Sequence, residues 1–450
     1  MNSYVASVIE YVKKKYANEP EFVQTVEEVL GSISPVIDAH PEYEKVDLLT
    51  RMVEPERMFT FRVVWCDDAG QWHTNVGYRC QFNGAIGPYK GGLRFQPNVT
   101  PSVIKFLGFE QTFKNSLTGL PMGGGKGGSD FDPSGKSDAE IMRFCQSFMT
   151  ALYRYIGPDI DVPAGDMGVG GREIGYMYGQ YRRLKGVWEN GVLTGKGFTY
   201  GGSLTRPEAT GYGAMYYLQE VLEHEGEDIK GKTIACAGFG NVTWGICKKA
   251  MHLGAKVVTL SGPDGYIYDP EGVSSSEEKV NYLLEMRSSG RNKVKDYADK
   301  FGVEFFPGQK PWGVKVDVVM PSAMQNDVHM EHAEKIAACG AKYYIEVANM
   351  PTTNDALQFL MSQKHMIVAP SKAVNAGGVA VSGLEMSQNS ERLVWTAEEV
   401  DAQLKQIMKT IHAMSRDAAE EYGLGYNLVA GANIAGFKKV ATAMMEQGCF

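Results

Sequence analysis

The chain has 450 residues, of which 44% are hydrophobic and 22% charged, and this length indicates two α/β domains rather than one core. Its formal net charge of −8 argues against a nucleic-acid backbone as the main partner, and no apolar run predicts a membrane span or signal peptide. The seven cysteines are scattered and never spaced as Cys-x-x-Cys, which indicates reduced thiols in a cytoplasm and no metal site.

Two strands are predicted between residues 58 and 82. Even positions of 72–82 are mostly apolar and odd positions are polar or glycine, a period of two that is typical of a half-buried strand. This segment follows the strand-like 59–63 across a turn at 67–70. The pair is therefore predicted to form a hairpin.

A loop is predicted at 87–92, where Lys90 stands among glycines. The helix after it begins behind Thr100, which is a favoured N-cap residue. Gln111 and Lys114 are three residues apart on this helix and share one face.

The stretch 121–129 reads Pro-Met-Gly-Gly-Gly-Lys-Gly-Gly-Ser and is predicted to be a loop. Five glycines beside Lys126 cost conformational freedom unless positive φ or a close approach requires them. A nucleotide-phosphate loop is excluded, because Leu120 and Gly127 stand where that pattern needs Gly and Ser or Thr. A desolvated lysine has a lowered pKa and can exchange protons near neutral pH. Since the preceding helix runs toward this loop, the lysines and glutamine of the three segments are predicted to converge on one cleft.

A second glycine-rich region, 161–170, places Asp166 among small residues. A turn stabilised by an Asx hydrogen bond explains this pattern as well as a functional carboxylate does. The residues alone leave both readings open.

Near residue 205 the pattern changes to alternating strands and helices. Residues 232–243 predict a strand, the turn Gly238-Phe239-Gly240 and a helix start, and 255–260 predict the next strand. This βαβ unit is typical of dinucleotide binding, with the helix N-terminus aimed at a pyrophosphate. The third small position of the turn is Thr243 rather than Gly or Ala, which leaves the helix packing there open.

Three later segments predict further parallel strands: 316–320, 343–347 and 366–369. Ligands of such sheets bind at the carboxyl ends of the strands. Asn349 and Asn375 follow two of these ends and are predicted cofactor neighbours, although either could be an ordinary cap.

Together these motifs resemble one family, the hexameric glutamate dehydrogenases, over essentially the whole chain. The segments that carry the resemblance are 87–95, 121–128, 163–166, 206–213 and 375–379. It implies an α/β fold with a substrate and oligomerisation domain at 1–203, completed by a returning C-terminal helix at 426–450. A Rossmann-type dinucleotide-binding domain would occupy 204–425, and the assembly would be a homohexamer in the cytoplasm.

The resemblance also implies how a substrate with two carboxylates is held. Lys90 and Ser382 would bind the side-chain carboxylate of glutamate, while Gln111 and Lys114 would bind the α-carboxylate. Elementary chemistry agrees, because a site that buries two carboxylates needs cations at both ends. A dehydrogenase acting on leucine or phenylalanine would have apolar residues in place of Lys90 and Ser382.

For the reacting centre, the resemblance implies that Lys126 activates water and that Asp166 moves protons to and from the amino nitrogen. A non-catalytic NAD-binding protein would be free to lose either residue, so their presence argues against that alternative. The predicted cofactor site combines residues that the resemblance implies with those of the glycine turn and of the strand ends. Its members are Arg206, Thr210, Gly238, Phe239, Gly240, Asn241, Val242, Asp264, Asn349 and Asn375.

The loop after the second nucleotide strand, 261–266, separates NAD from NADP. It contains Asp264 and no Lys or Arg, and together with Phe239 it favours NAD. The predicted activity is the reversible oxidative deamination of L-glutamate to 2-oxoglutarate and ammonia. A basic side chain arriving from elsewhere would make the enzyme NADP-preferring or dual.

Overall fold

A computed structural model describes residues 1–448, which form two compact units. The first unit comprises Met1–Leu204, Val379–Val400 and the segment from Asn433 onward. The second comprises Thr205–Gly378 and Asp401–Ala432. Within the described residues, no helix is both long enough and apolar enough to span a membrane.

The segment 379–400 differs from the sequence-based division, which placed it in the nucleotide domain. The structure groups it with the first unit because its helix is hydrogen-bonded to the segment ending at Leu204. Gln388 Nε2 donates to Ser203 Oγ at 2.9 Å, and Asn389 Nδ2 donates to the carbonyl oxygen of Gly201 at 2.7 Å.

The sheet of the first unit has the strand order β1-β2-β4-β3-β5. Its strands are Arg57–Cys66 (β1), Trp72–Asn83 (β2), Tyr89–Phe95 (β3), Gly123–Ser129 (β4) and Asp161–Gly165 (β5). β1 and β2 pair antiparallel, which confirms the predicted hairpin. β4 lies between β2, its antiparallel neighbour, and β3, which runs parallel to both β4 and β5.

The loop prediction was therefore wrong for both glycine-rich segments that carry lysine. Most of 87–92 belongs to β3, and most of 121–129 forms β4 in the middle of the sheet. Glycine normally weakens a strand, because it has no side chain to pack against its neighbours. In β4, however, Thr112 of the preceding helix and Arg79 of β2 come so close to the strand that a side chain at Gly124 or Gly127 would have no room.

The helices of the first unit precede and surround this sheet. They are Ser3–Lys15 (α1), Pro20–Ser32 (α2), Ser34–Ala39 (α3), Glu42–Lys45 (α4), Leu48–Val53 (α5), Pro101–Leu117 (α6), Asp138–Leu152 (α7) and Gly171–Lys185 (α8). α6 begins as predicted, since Thr100 Oγ1 accepts from the Val103 N–H at 3.3 Å. An aromatic core around Phe95, Phe144 and Phe148 fills the space between the sheet, α7 and α8.

The second unit contains a sheet of order β12-β11-β10-β6-β7-β8-β9. Its strands are Thr233–Cys236 (β6), Lys256–Gly262 (β7), Gly265–Tyr268 (β8), Glu304–Pro307 (β9), Val318–Met320 (β10), Tyr343–Ile345 (β11) and Ile367–Ala369 (β12). The strands from β12 to β7 pair parallel, which confirms the predicted nucleotide sheet. β8 and β9 add an antiparallel edge that the sequence reading missed.

Helices connect the strands of the second unit and complete the chain. They are Ala209–His224 (α9), Asn241–Leu253 (α10), Glu277–Ser288 (α11), Lys295–Phe301 (α12), Met330–Ala338 (α13), Asn354–Ser362 (α14), Ser371–Val374 (α15), Gly377–Glu391 (α16), Ala397–Glu421 (α17) and Leu428–Glu446 (α18). α10 ends at Leu253, and Gly254 caps it with a φ of 79°, a left-handed conformation that suits glycine.

Candidate functional site

The glycines of β4 serve close packing on both faces of the strand. A Cβ on Gly124 would lie 1.9 Å from Thr112 Oγ1 of α6. A Cβ on Gly125 would lie 3.2 Å from Arg79, and one on Gly127 would lie 3.0 Å from the same side chain. Among these five glycines only Gly128 has a positive φ, of 158°. Close approach, rather than unusual backbone conformation, thus explains most of the run.

The side chain of Arg79 occupies the space beside Gly125 and Gly127 of β4. Its guanidinium is fully buried and forms a bidentate ion pair with Asp161 of β5, with Nε at 2.9 Å from Oδ2. It also donates to the carbonyl oxygen of Gly91 in β3 at 3.0 Å. One side chain from β2 therefore crosses β4 and links two strands beyond it.

Lys126 and Asp166 meet beside the sheet. Lys126 Nζ lies 3.1 Å from Asp166 Oδ2, and Arg94 Nε donates to the same oxygen at 3.0 Å. Gly92 leaves room for this carboxylate, because a Cβ there would stand 2.8 Å from Asp166 Cβ. The alternation of β3 places Lys90, Gly92 and Arg94 on one face.

Electrostatics keeps this carboxylate ionised. Burial lowers the pKa of Lys126, with the charge of Asp166 opposing and that of Arg94 assisting the shift. Burial by itself would raise the pKa of Asp166, but the charges of Lys126 and Arg94 outweigh it and lower the pKa to about 2. Asp166 thus remains a carboxylate at neutral pH, and Arg94 still pairs with it when Lys126 gives up its proton.

Lys90 is the second buried lysine of this region, with only 1% of its surface exposed. Its Nζ donates to Thr194 Oγ1 at 2.8 Å. Ser382 of α16 is equally buried at 1% exposure. An ammonium and a hydroxyl that are both shielded from water can bind an anionic group strongly.

On α6, Gln111 and Asn115 face β3. Gln111 Nε2 donates to Asn115 Oδ1 at 2.6 Å, and Asn115 Nδ2 donates to the carbonyl oxygen of Lys90 at 3.0 Å. A Cβ on Gly91 would lie 3.2 Å from Gln111 Cγ. Lys114 is only half-buried on the same helix. The helix is thereby fixed against the strand that carries Lys90.

The predicted cofactor residues lie in the second unit, around the end of β6. Gly238 has a φ of 81°, which a residue with a side chain rarely adopts. Gly240 has open space within 4 Å of the position where a Cβ would stand, and Asn241 opens α10 behind it. An exposed helix N-terminus with free room before it fits the pyrophosphate of a dinucleotide.

Thr243 occupies the third small position without disturbing the packing of α10. Its Oγ1 donates to the carbonyl oxygen of Ala237 at 3.1 Å and lies 3.0 Å from Ser322 Oγ. The carbonyl oxygen of Ala237 therefore accepts from the hydroxyl groups of both Thr243 and Ser322. With glycine or alanine at position 243 it would accept from Ser322 alone. This resolves the question that the sequence left open. Val242 beside it is half-buried, and its carbonyl oxygen would lie 2.4 Å from a Cβ on Gly211.

Phe239 and Asp264 lie together at the end of β7. A Cβ on Gly262 would be 3.1 Å from Phe239 Cε1 and 2.8 Å from Asp264 Oδ1. The carboxylate of Asp264 also accepts from the N–H groups of Val294 and Lys295, at 2.9 and 3.0 Å. Asp264 thus stabilises the start of α12 in addition to placing negative charge at this strand end.

Asn375 and Asn349 form a pair beyond β11 and β12. Asn375 Nδ2 donates to Asn349 Oδ1 at 2.9 Å, whereas Asn375 Oδ1 is buried and has no hydrogen-bond partner among the described residues. A buried acceptor without a donor is costly. It fits a ligand that supplies an N–H group, such as the carboxamide of a nicotinamide.

Arg206 and Thr210 adjoin the start of α16. A Cβ on Gly378 would lie 2.6 Å from Thr210 Oγ1 and 3.6 Å from Arg206 Nη1. Their side chains therefore share one location in the second unit.

Several residues of the site were missed by sequence reasoning. Arg94, Thr194 and Asn115 each contact a predicted site residue. The period of two in β3 could have revealed Arg94, once that segment was read as a strand. Thr194 is far along the chain from Lys90, and no sequence signal connects them.

The comparisons with known proteins cover nearly the whole chain. Residues 201–448 match the family model described as Glutamate/Leucine/Phenylalanine/Valine dehydrogenase, and residues 55–183 match its dimerisation domain. A curated relative from Clostridium symbiosum, named NAD-specific glutamate dehydrogenase, is 72% identical over 100% of this chain and 99% of its own length.

Two further similarities complete these findings. A relative from Haemophilus influenzae, named NADP-specific glutamate dehydrogenase, is 52% identical over 100% of both chains. A solved structure titled glutamate dehydrogenase is 72% identical, covers 99% of both chains and superposes with a TM-score of 0.98.

Proposed function

Because the chain belongs to the glutamate/leucine/phenylalanine/valine dehydrogenase family, we propose that it catalyses the reversible oxidative deamination of L-glutamate with NAD. The predicted family, fold class and enzyme class are confirmed by the family match and the similar structure. The observation that most directly supports this reaction is the buried contact between Lys126 Nζ and Asp166 Oδ2, which are 3.1 Å apart.

Proton transfer is assigned to this pair. NAD bound in the second unit would supply the hydride acceptor for the α-carbon of the amino acid, and the resulting imine carbon would then be open to attack by water. Lys126, whose pKa burial lowers, takes the proton of that water. Asp166 passes protons to and from the departing amino nitrogen, and Arg94 keeps its carboxylate oriented at 3.0 Å.

Substrate selection is assigned to two groups of residues. Lys90 and Ser382, both buried, bind the distal carboxylate, which separates glutamate from leucine or phenylalanine. Gln111 and Lys114 bind the α-carboxylate that every amino acid carries. Shielding from water makes the hydrogen bonds of the buried Lys90 and Ser382 to a carboxylate stronger than they would be on the surface.

NAD is assigned to the second unit. The N-terminus of α10, with Gly240 open before it, would hold the pyrophosphate, and the free acceptor of Asn375 would take a nicotinamide N–H group. Asp264 would repel the extra phosphate of NADP. The relative named NAD-specific at 72% identity supports this preference.

A homohexamer and a cytoplasmic location are part of the same proposal. The match of 55–183 to a dimerisation domain supports assembly. Trp72 and Ile160, which are 76% and 52% exposed, give the first unit apolar surface that a partner copy could cover. Free cysteines such as Cys80 and Cys236 are consistent with a reducing compartment.

A spectrophotometric assay of the reduced cofactor tests the proposed function. Glutamate, leucine, phenylalanine and valine are supplied in turn with NAD and with NADP, and kcat/KM is compared. Glutamate with NAD should give the highest value. A higher value for any apolar amino acid would contradict the assignment of Lys90 and Ser382.

A further inference from the structure

A fully buried ion pair lies outside the residues assigned so far. Lys196 Nζ and Glu385 Oε1 are 2.7 Å apart, and both side chains are 0% exposed. Lys196 also donates to Asn389 Oδ1 at 2.9 Å and to the carbonyl oxygen of Leu193. The three protons of the ammonium group therefore have three acceptors.

Glu385 binds the backbone of the same segment. Its Oε2 accepts from the Gly195 N–H at 2.9 Å, and its Oε1 accepts from the Lys196 N–H at 3.4 Å. Gly195 has a φ of 85°, a conformation that suits glycine and brings both N–H groups to one carboxylate. The pair thus holds the carbonyl of residue 193 and the N–H groups of residues 195 and 196.

Such a pair is a poor way to gain stability. Removing two charges from water costs several kcal/mol per ion, and apolar side chains of similar volume are often as stable or more so. Burial also lowers the pKa of Lys196, although the charge of Glu385 and the hydrogen bond to it oppose this shift. The geometry that the pair enforces is therefore a better explanation of its presence than its energy.

Thr194 is the residue enclosed by these contacts. Its Oγ1 accepts from Lys90 Nζ at 2.8 Å, and its N–H donates to the carbonyl oxygen of Pro163 at 3.1 Å. Ser382 precedes Glu385 by three residues on α16, a spacing that places both on one face of the helix. The ion pair consequently holds the backbone on both sides of Thr194 and lies about one helical turn from Ser382.

We propose that Lys196 and Glu385, assisted by Asn389, are positioning residues that hold Thr194 and Ser382 in register with Lys90 and so sharpen selection of a distal carboxylate. This inference rests on the proposed function of Lys90 and Ser382. Lys196 and Glu385 are not among the residues assigned to the substrate or the cofactor, and their effect is transmitted through Thr194 and through α16.

The test is the double variant Lys196→Met with Glu385→Leu, which replaces the charges with apolar side chains of similar size. We expect kcat/KM for glutamate to fall about tenfold relative to that for norleucine, the loss typical of weakening one hydrogen bond to a charged group. KM should account for most of the change. The matched control is Lys105→Met with Glu19→Leu, which removes a different ion pair of the first unit, at 2.6 Å.

Equal changes for glutamate and norleucine in the folded double variant would overturn the proposal, because they would show general structural support. If the double variant does not fold, Asn389→Ala weakens the same cluster more gently and should shift the ratio in the same direction. An unshifted ratio in Asn389→Ala would then overturn it.

Glutarate binding, measured by calorimetry, separates this inference from the proposed function. Glutarate carries two carboxylates and needs no turnover. Failure of the unmodified protein to oxidise glutamate would refute the proposed function. If the ion pair positions the site, the double variant should nevertheless bind glutarate more weakly than the unmodified protein does. Unchanged glutarate affinity would refute the positioning role itself.

Discussion

The glycine run of the first unit lies inside the sheet as β4, whereas the Gly238-Phe239-Gly240 turn of the second unit follows the end of β6. The glycines of β4 lie against Thr112 on one face and the buried Arg79 on the other. Gly240, by contrast, has nothing within 4 Å of its missing side chain. The glycines of β4 therefore let other parts of the protein pack closely against the strand, whereas Gly240 leaves room for a ligand.

The two sheets also differ in what they bury. Arg79, Lys90 and Lys126 are all buried in the first unit, next to strands that pass close to one another. The nucleotide sheet has apolar strands, such as Val318–Met320, and the polar residues buried in its β7, Thr259 and Ser261, are uncharged. Buried charge beside the first sheet can orient a doubly charged substrate, whereas the described strands of the second sheet bury no charged residue.

The largest effect is expected at the reacting centre of the first unit. Lys126→Ala and Asp166→Asn should each lower kcat by roughly 10²–10⁴, because a positioned acid or base contributes that much. NAD binding should persist, because both residues belong to the first unit whereas the nucleotide sheet belongs to the second. Steady-state kinetics and NAD titration measure the two properties, and a loss in kcat below about tenfold would contradict the assignment.

The next effect concerns the distal carboxylate. Lys90→Leu combined with Ser382→Val removes its partners, and burying an unpaired carboxylate costs several kcal/mol. Glutamate should therefore lose most of its kcat/KM, while norleucine loses little or gains, since a buried methylene contributes about 0.8 kcal/mol. Measurement of both substrates in both proteins checks this. An equal fall would place the distal carboxylate elsewhere.

A pair of alanine substitutions tests the two uses of glycine directly. Gly124→Ala should lower the free energy of unfolding by about 1–3 kcal/mol, because the new methyl group overlaps Thr112. Gly240→Ala should change it by less than about 0.5 kcal/mol, as at an open surface position, but should raise the KM for NAD. Urea denaturation gives the first quantity. Equal stability of the two variants would refute the comparison.

The smallest effect is expected at Asp264. Asp264→Lys should narrow the preference for NAD over NADP by about tenfold or less, because partly exposed charges interact weakly. Asp264→Asn is the control, since its side-chain oxygen can still accept from the N–H groups of Val294 or Lys295. Comparing kcat/KM for both cofactors in the three proteins separates charge from capping. A preference for NADP in the unmodified protein would contradict the reading of this loop.

Local patterns were enough for those features that depend on neighbours in the chain. The hairpin of β1 and β2, the cap of α6 by Thr100 and the strand–turn–helix around Gly238 were all predicted from short segments. Each depends on side-chain alternation, capping or turn chemistry within about a dozen residues. The family resemblance then supplied roles that no spacing could give.

Only the tertiary structure decided what depends on distant residues. The sequence pattern predicted a loop at 121–129, because glycine lacks the side chains that favour strands. In the structure most of this segment is β4, which is paired with β2 on one side and β3 on the other. The sequence pattern also gave no sign that Thr194 meets Lys90, or that Glu385 binds Lys196 from 189 residues away. Local chemistry determines the elements, whereas close packing and buried charge are settled only when strands and helices from separate parts of the chain come together.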